Sequence, residues 1–180
     1  KFREKLVNRY IEQGKLEQAK TVCHEWLDDQ SSGHRGDRTT FHELLLQIAQ
    51  IEEHLPTIRN LSKQLLIDTG NLQYYTIYKT TVTDSEWGMA LRELIATAEH
   101  ESYHHNLVPQ LLVKEEMWDE LLLLMQSGNR YKIEPYRKYL EPRFPEAVSS
   151  IYERHLKTLL VEKVNRKGYQ EACRYLRRIY

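Results

Sequence analysis

Apolar residues recur along this chain at steps of three and four, the period of a helix with one buried face. The pattern is clearest over 55–82. Leu55, Ile58, Leu61 and Leu65 form a stripe that starts beside Pro56, a residue whose missing N–H does no harm in a first helical turn. Gly70 and Asn71 interrupt the stripe, and Leu72, Tyr75, Tyr78 and Val82 begin another at the same spacing. Two helices separated by so short a break are each other's nearest partners, so the spacing predicts a helical hairpin.

The same arrangement is predicted up and down the chain. Leu6, Tyr10, Gly14, Leu16, Ala19, Cys23 and Trp26 give a first hairpin, with Leu6 and Tyr10 inward and the turn at Gly14. The segment Gln30–Thr39, with Ser31, Ser32, Gly33 and Gly36, is predicted as a flexible loop. It holds Arg35-Gly36-Asp37, a tripeptide that binds integrins outside cells, although nothing else in the chain points there. A long helix follows on Phe41, Leu44, Leu45, Ile48 and Ile51. Thr83 and Glu86 have the spacing of a capping box for a helix burying Trp87, Leu91, Leu94, Ile95 and Ala98. After a break near Ser102, further stripes run through Leu107, Leu111 and Leu112, then Trp118, Leu121, Leu122 and Met125, with a turn at Glu115-Glu116. Ile133–Leu140 is predicted as a short helix, and Pro145 as the first turn of another carrying Val148, Ile151, Tyr152, His155, Leu159 and Leu160. Gly168 then leads to Tyr169, Ala172, Cys173, Leu176 and Ile179.

Hairpin turns are thus expected near Gly14, Gly70, Glu116 and Gly168, at intervals of 56, 46 and 52 residues. The spacing Tyr10-x3-Gly14-x-Leu16-x2-Ala19 resembles the core of a tetratricopeptide repeat, but the intervals are too uneven for a strict array. The fold class expected is all-α: an irregular, tetratricopeptide-like α-solenoid of stacked hairpins, forming one domain over 1–180 with a loop at 30–39.

Composition agrees with that class. Of 180 residues, 41% are hydrophobic and 29% charged, which fits neither a disordered nor a membranous chain. Seven Gly and five Pro are too few for the turns of an all-β fold, and no run approaches the ~20 apolar residues of a membrane span. Two distant cysteines, Cys23 and Cys173, suit reduced thiols of a cytoplasmic protein better than a single bridge. The chain opens at Lys1, directly in helical pattern, so it is expected to be a segment of a longer protein.

One stretch looks like chemistry. His100-Glu101-Ser102-Tyr103-His104 matches H-E-x-x-H, in which two histidines on one helix face hold zinc and the Glu acts as base. That geometry needs unbroken helix. Here one stripe ends near Ala98 and the next begins at Leu107 out of phase, so the motif is expected to straddle a polar interhelical turn. No third ligand with a supporting motif follows. The carboxylate pairs Asp28-Asp29 and Glu52-Glu53 diverge on a helix, and most of the 12 tyrosines sit at core-facing steps.

Charge is uneven although the net is zero. Residues 1–129 carry 13 Lys and Arg against 20 Asp and Glu, and residues 130–180 carry 13 against 6. Arg166, Lys167, Arg174, Arg177 and Arg178 make the far end a candidate phosphate or partner contact. Docking on an acidic protein surface is the simpler expectation.

Several stretches together resemble the C-terminal helical region of bacterial SWIM zinc-finger proteins. They are His54-Leu55-Pro56 with Leu65, Asp68-Thr69-Gly70-Asn71-Leu72 with Tyr74-Tyr75, Trp87, Glu115-Glu116-Met117-Trp118-Asp119-Glu120-Leu121-Leu122, Tyr139-Leu140 with Phe144-Pro145-Glu146, and Tyr169-Gln170-Glu171-Ala172-Cys173-Arg174-Tyr175-Leu176. The likeness runs from about Phe41 onward. A SWIM finger binds zinc through Cys-x-Cys and Cys-x-His, which this chain lacks, so the resemblance implies a finger upstream and no zinc ligands here. It also implies that this region is the attached scaffold and that His100 to His104 lie at a helix break.

The function expected is therefore a non-enzymatic scaffold for a protein partner or an upstream domain of the same chain, with no catalytic, cofactor-binding or metal-ligating residue and no membrane partner. An accessory nucleic-acid module using the basic C-terminal face is the alternative. A zinc metallohydrolase on His100, Glu101 and His104 is the remote one.

Overall fold

The computed structural model describes residues 2–29, 35–127 and 131–162, together with Gln170, Cys173 and Leu176. Ten helices are described: α1 (Phe2–Glu12), α2 (Leu16–Asp28), α3 (Arg35–Ile51), α4 (Leu55–Thr69), α5 (Leu72–Thr80), α6 (Asp84–Glu101), α7 (Leu107–Lys114), α8 (Trp118–Gln126), α9 (Arg137–Leu140) and α10 (Pro145–Glu162). Among the described residues there is no strand, and no helix is long and apolar enough to cross a membrane. The fold is all-α. The chain gathers into two compact units, residues 1–107 and 108–180.

In the first unit, α1, α2 and α3 close around Val7, Ala19, Cys23, Trp26, Phe41, Leu44, Leu45 and Ile48. Ala19 and Cys23 are small enough for the helices to approach closely, and Trp26 stacks on Phe41 with ring centroids 4.3 Å apart. A further cluster, Leu46, Ala49, Ile58 and Leu65, joins α3 to α4, with Tyr74 and Ile77 of α5 against it. Helix α3 is thus apolar on two sides, which explains its nearly unbroken run from Leu44 to Ala49. Fully burying Ile48 alone contributes about 1.5–3 kcal/mol.

Three stripes differ in detail from expectation, one of them in that Ile51, placed by its spacing on the buried side of α3, is 52% exposed. In α1 the buried residue is Val7, with Leu6 only half-buried, so the inward face is rotated by one position. Leu55, placed by its spacing on the buried face of α4, is 57% exposed, because it occupies the unpacked first turn. Helix α3 begins at Arg35, inside the interval expected to be loop. The segment 30–34 lies outside the described residues.

Three of the connections share one geometry. Gly14, Glu53 and Glu116 have φ of 70°, 53° and 54°, the left-handed residue that ends a helix. The next residue donates its N–H five positions back in each case: Lys15 to Tyr10 O at 2.9 Å, His54 to Ala49 O at 3.0 Å, Met117 to Leu112 O at 2.9 Å. A bulky residue then opens the following helix (Leu16, Leu55, Trp118), and the residue three further on is buried (Ala19, Ile58, Leu121). So is the one four beyond that, at Cys23, Ser62 and Met125. The α4–α5 turn at Gly70 is of another kind: Gly70 (φ 67°) caps α4 and Asn71 caps α5 through its side chain, which accepts from Gln73 N at 3.0 Å.

Asp84 opens α6 as expected, but the Thr83 hydroxyl bonds the Glu86 carboxylate at 3.0 Å rather than the backbone N–H of a capping box. In the second unit, α8, α9 and α10 contact one another in pairs. Leu121, Met125, Tyr131, Ile133, Tyr136, Leu140, Val148, Ile151 and Tyr152 are buried there. The helix expected over Ile133–Leu140 is confined to Arg137–Leu140. Pro135 explains the shortening, since it lacks an N–H and disfavours helix at Glu134. Helix α10 opens at Pro145, as expected.

Candidate functional site

Helix α6 ends at Glu101, and Ser102 is extended (φ −77°, ψ 131°), so His100 lies on the helix and His104 beyond its end. The two rings do not share a helix face. The Ser102 hydroxyl and the His104 ring are committed to α4 instead. The Ser102 hydroxyl donates to Ile67 O at 3.0 Å and accepts from His104 N at 3.1 Å. His104 Nε2 lies 2.9 Å from Asp68 O, and since a carbonyl only accepts, the ring nitrogen donates. Ile67 and Asp68 are in the last turn of α4, where carbonyls have no partner within the helix. Gly70 completes the clamp: a Cβ there would lie 2.8 Å from His104 Cγ, so only glycine lets the ring settle. Among the described residues, no three His, Cys, Asp or Glu converge as a metal site.

The other groups of interest are held by burial. Cys23 has no exposed surface, and burial pushes its thiol up to about 11, which keeps it protonated and unreactive at neutral pH. Cys23 and Cys173 are both free thiols. His42, 8% exposed, is held below the usual histidine range by burial; Asp68 opposes that shift, and Arg38 and His24 reinforce it. Tyr74 donates its hydroxyl to the Glu43 carboxylate, and burial together with that bond raises it to about 12.

A cavity of about 320 Å³ opens among α2, α3 and α4. Leu45, Ala49 and Leu61 supply its apolar lining, and Lys20, His24, Glu52, His54 and Thr57 its polar lining. The Lys20 ammonium sits 2.5 Å from Glu17 and 2.9 Å from Glu52, and these two carboxylates, Glu17 first, raise it above its usual range. His54 Nδ1 lies 2.7 Å from Thr57 Oγ1, which orients the ring. Ile51 and Leu55, on either side of Glu52 and His54 in the chain, are 52% and 57% exposed.

The second unit carries a layered stack. Trp118 lies on Tyr139 with centroids 5.6 Å apart and planes 18° from parallel. The Arg143 guanidinium covers Trp118 at 4.4 Å, and the Lys138 ammonium covers Tyr139 at 4.7 Å. Arg143 also donates to Tyr139 O at 3.0 Å, fixing the order of the layers.

Arg166, Lys167, Arg174, Arg177 and Arg178, the basic residues singled out from the sequence, lie outside the described residues. Among the other basic residues of that half, Arg154 is held by Gln126 O at 2.7 Å and Arg137 by Glu141 at 2.5 Å. Arg35-Gly36-Asp37 falls in the first turn of α3 rather than in a loop. Neither the cavity nor the stack was apparent in the sequence. Each joins residues from separate helices, and the one sequence signal is that Glu53 and Glu116 stand at the turn position that Gly14 occupies. Comparison with known protein families, with characterised proteins and with solved structures finds no match for this chain.

Proposed function

We propose that this chain is a non-enzymatic scaffold, an irregular, tetratricopeptide-like α-solenoid whose surface binds another protein or an upstream domain of its own chain. The observation that carries this reading is the recurrence of one turn, with the same buried positions after it, at Gly14, Glu53 and Glu116. A hairpin with one apolar face is incomplete alone, and a series of them offers an extended surface of the kind that receives polypeptides. The resemblance of the residues from Phe41 onward to the region attached to SWIM zinc fingers supports an upstream domain as partner. Two free thiols, one of them buried and inert, favour a reducing, cytoplasmic setting. The clamp on His104 favours a structural role for the H-E-x-x-H residues.

The test is photo-crosslinking in the host cell from a benzophenone amino acid placed in turn at Ile51, Met89 or Leu123, which are 52%, 76% and 64% exposed. A discrete protein adduct from at least one position is expected. No adduct from any position contradicts the reading.

The Arg143–Trp118–Tyr139–Lys138 stack, whose two cations belong to the basic stretch 130–180, is the observation that favours an accessory nucleic-acid module instead. Its ring faces are already covered by cations, so a base would have to displace one of them. Anisotropy of labelled single- and double-stranded DNA across a salt series separates the readings. Steeply salt-dependent binding that vanishes when Arg174, Arg177 and Arg178 are all changed to Glu supports the module, and no binding at low salt by a folded protein supports the protein scaffold.

A further inference from the structure

The cavity among α2, α3 and α4 has an apolar floor and an acidic rim. Leu45 and Ala49 belong to the packed core, being 6% and 2% exposed, yet both line open space. At about 320 Å³, the cavity is at the lower end of the ~300–1,000 Å³ range of ligand pockets, with room for a large aliphatic or aromatic side chain. At the rim, two carboxylates, Glu17 and Glu52, close on the single ammonium of Lys20. The excess charge there is negative. Residues 1–107 as a whole carry 12 Lys and Arg against 16 Asp and Glu.

We infer that this cavity seats a bulky apolar side chain of a basic partner peptide, an inference that rests on the protein-binding reading above. Two features select that occupant. The floor of Leu45, Ala49 and Leu61 rewards apolar burial. The surplus of carboxylate repels an anionic ligand and attracts lysine or arginine flanking the anchor. A metal ion is a poor occupant, because no three ligating side chains converge among the described residues.

The test uses three fluorescein-labelled helical peptides of equal length, built from Lys and Leu, Lys and Ala, or Glu and Leu, titrated against the full chain and followed by anisotropy. The Lys/Leu peptide is expected to bind at least about tenfold more tightly than the other two. His24→Trp, which fills the mouth from an exposed position, and Glu17→Lys, which reverses the rim charge, should each weaken it about tenfold. Glu99→Lys, an exposed change on α6, should not. Circular dichroism establishes that each variant is folded.

Equal binding of the Lys/Leu and Lys/Ala peptides overturns the inference, because attraction is then charge alone. Tight binding unchanged in folded His24→Trp also overturns it, while leaving a protein-binding scaffold whose groove is elsewhere. Self-association abolished by His24→Trp reassigns the cavity to a second copy of the chain and overturns the partner named here. If none of the peptides binds, the inference fails, and the scaffold reading is decided separately by crosslinking from Met89 and Leu123.

Discussion

His104 Nε2 lies 2.9 Å from the carbonyl oxygen of Asp68, 36 residues earlier in the chain, and its ring rests where a Cβ of Gly70 would be. The end of one helix is thus finished by a side chain from beyond the end of another. Ser102 does the same for Ile67 O. A motif that reads as metal chemistry is built as an interhelical cap.

The contact with Gly70 predicts a coupled effect. Gly70→Ala puts a side chain at φ 67° and against the His104 ring, and should destabilise the protein by about 2 kcal/mol or more. In a His104→Gly background, which removes the Cβ lying 2.9 Å from that position as well as the ring, the steric part disappears, and the loss should fall toward the left-handed backbone cost of about 1 kcal/mol. Urea unfolding of the four proteins in this cycle measures the coupling. Equal losses in both backgrounds would show that the ring and the glycine do not touch.

Glu53 and Glu116 hold a conformation that glycine adopts freely, with φ of 53° and 54°. Glu53→Gly and Glu116→Gly should each raise stability, by up to about 1 kcal/mol, because relief of the left-handed strain outweighs the extra entropy of the unfolded chain. Denaturation midpoints that fall in both variants would contradict the shared turn geometry.

His42 gives a pH dependence whose sign is set by burial. Its folded-state pKa is below the ordinary 6.5, so the unfolded chain takes up the proton first as pH falls. Stability is therefore unaffected by this group above about pH 6.5 and declines below it. The groups acting on it are Asp68 of α4, Arg38 of α3 and His24 of α2. The drop in urea midpoint between pH 7.5 and 5.5 should be larger in the wild type than in His42→Gln, and an identical drop would rule out the effect.

Thiol chemistry separates the two cysteines. Cys173 is exposed and Cys23 is buried with its thiol raised to about 11. A thiol reagent at neutral pH should modify one cysteine per chain quickly and the other only on unfolding, with Cys173→Ser removing the fast phase. Fast modification of both in the folded protein would be inconsistent with a packed Cys23.

The legible part of the fold is the part that depends on local periodicity. Ile58, Leu65, Tyr75, Tyr78, Leu91 and Leu94 are buried where their spacing places them. The turn at Glu53 was not legible, because a left-handed residue is expected to be glycine and Glu52-Glu53 reads as a solvated pair. Its signature is in the register, with Leu55 two residues on as Leu16 is from Gly14. Pro135 was a legible stop that the apolar spacing from Ile133 to Leu140 overrode. The break inside His100 to His104 could be read from the change of phase, whereas the clamp could not, since Asp68 is brought there only by the packing of α6 on α4. The cavity depends on three helices at once, and no single stripe contains it.

The central claim, that the H-E-x-x-H residues are structural, is tested most directly by measuring bound zinc after dialysis together with unfolding free energy, for the wild type, His100→Ala, Ser102→Ala and His104→Ala. The account predicts no stoichiometric zinc in any of them, little change for His100→Ala, and losses of about 1 kcal/mol or more for Ser102→Ala and His104→Ala, each of which leaves a helix-end carbonyl without its donor. One zinc per chain in the wild type, lost in both His100→Ala and His104→Ala, would contradict it.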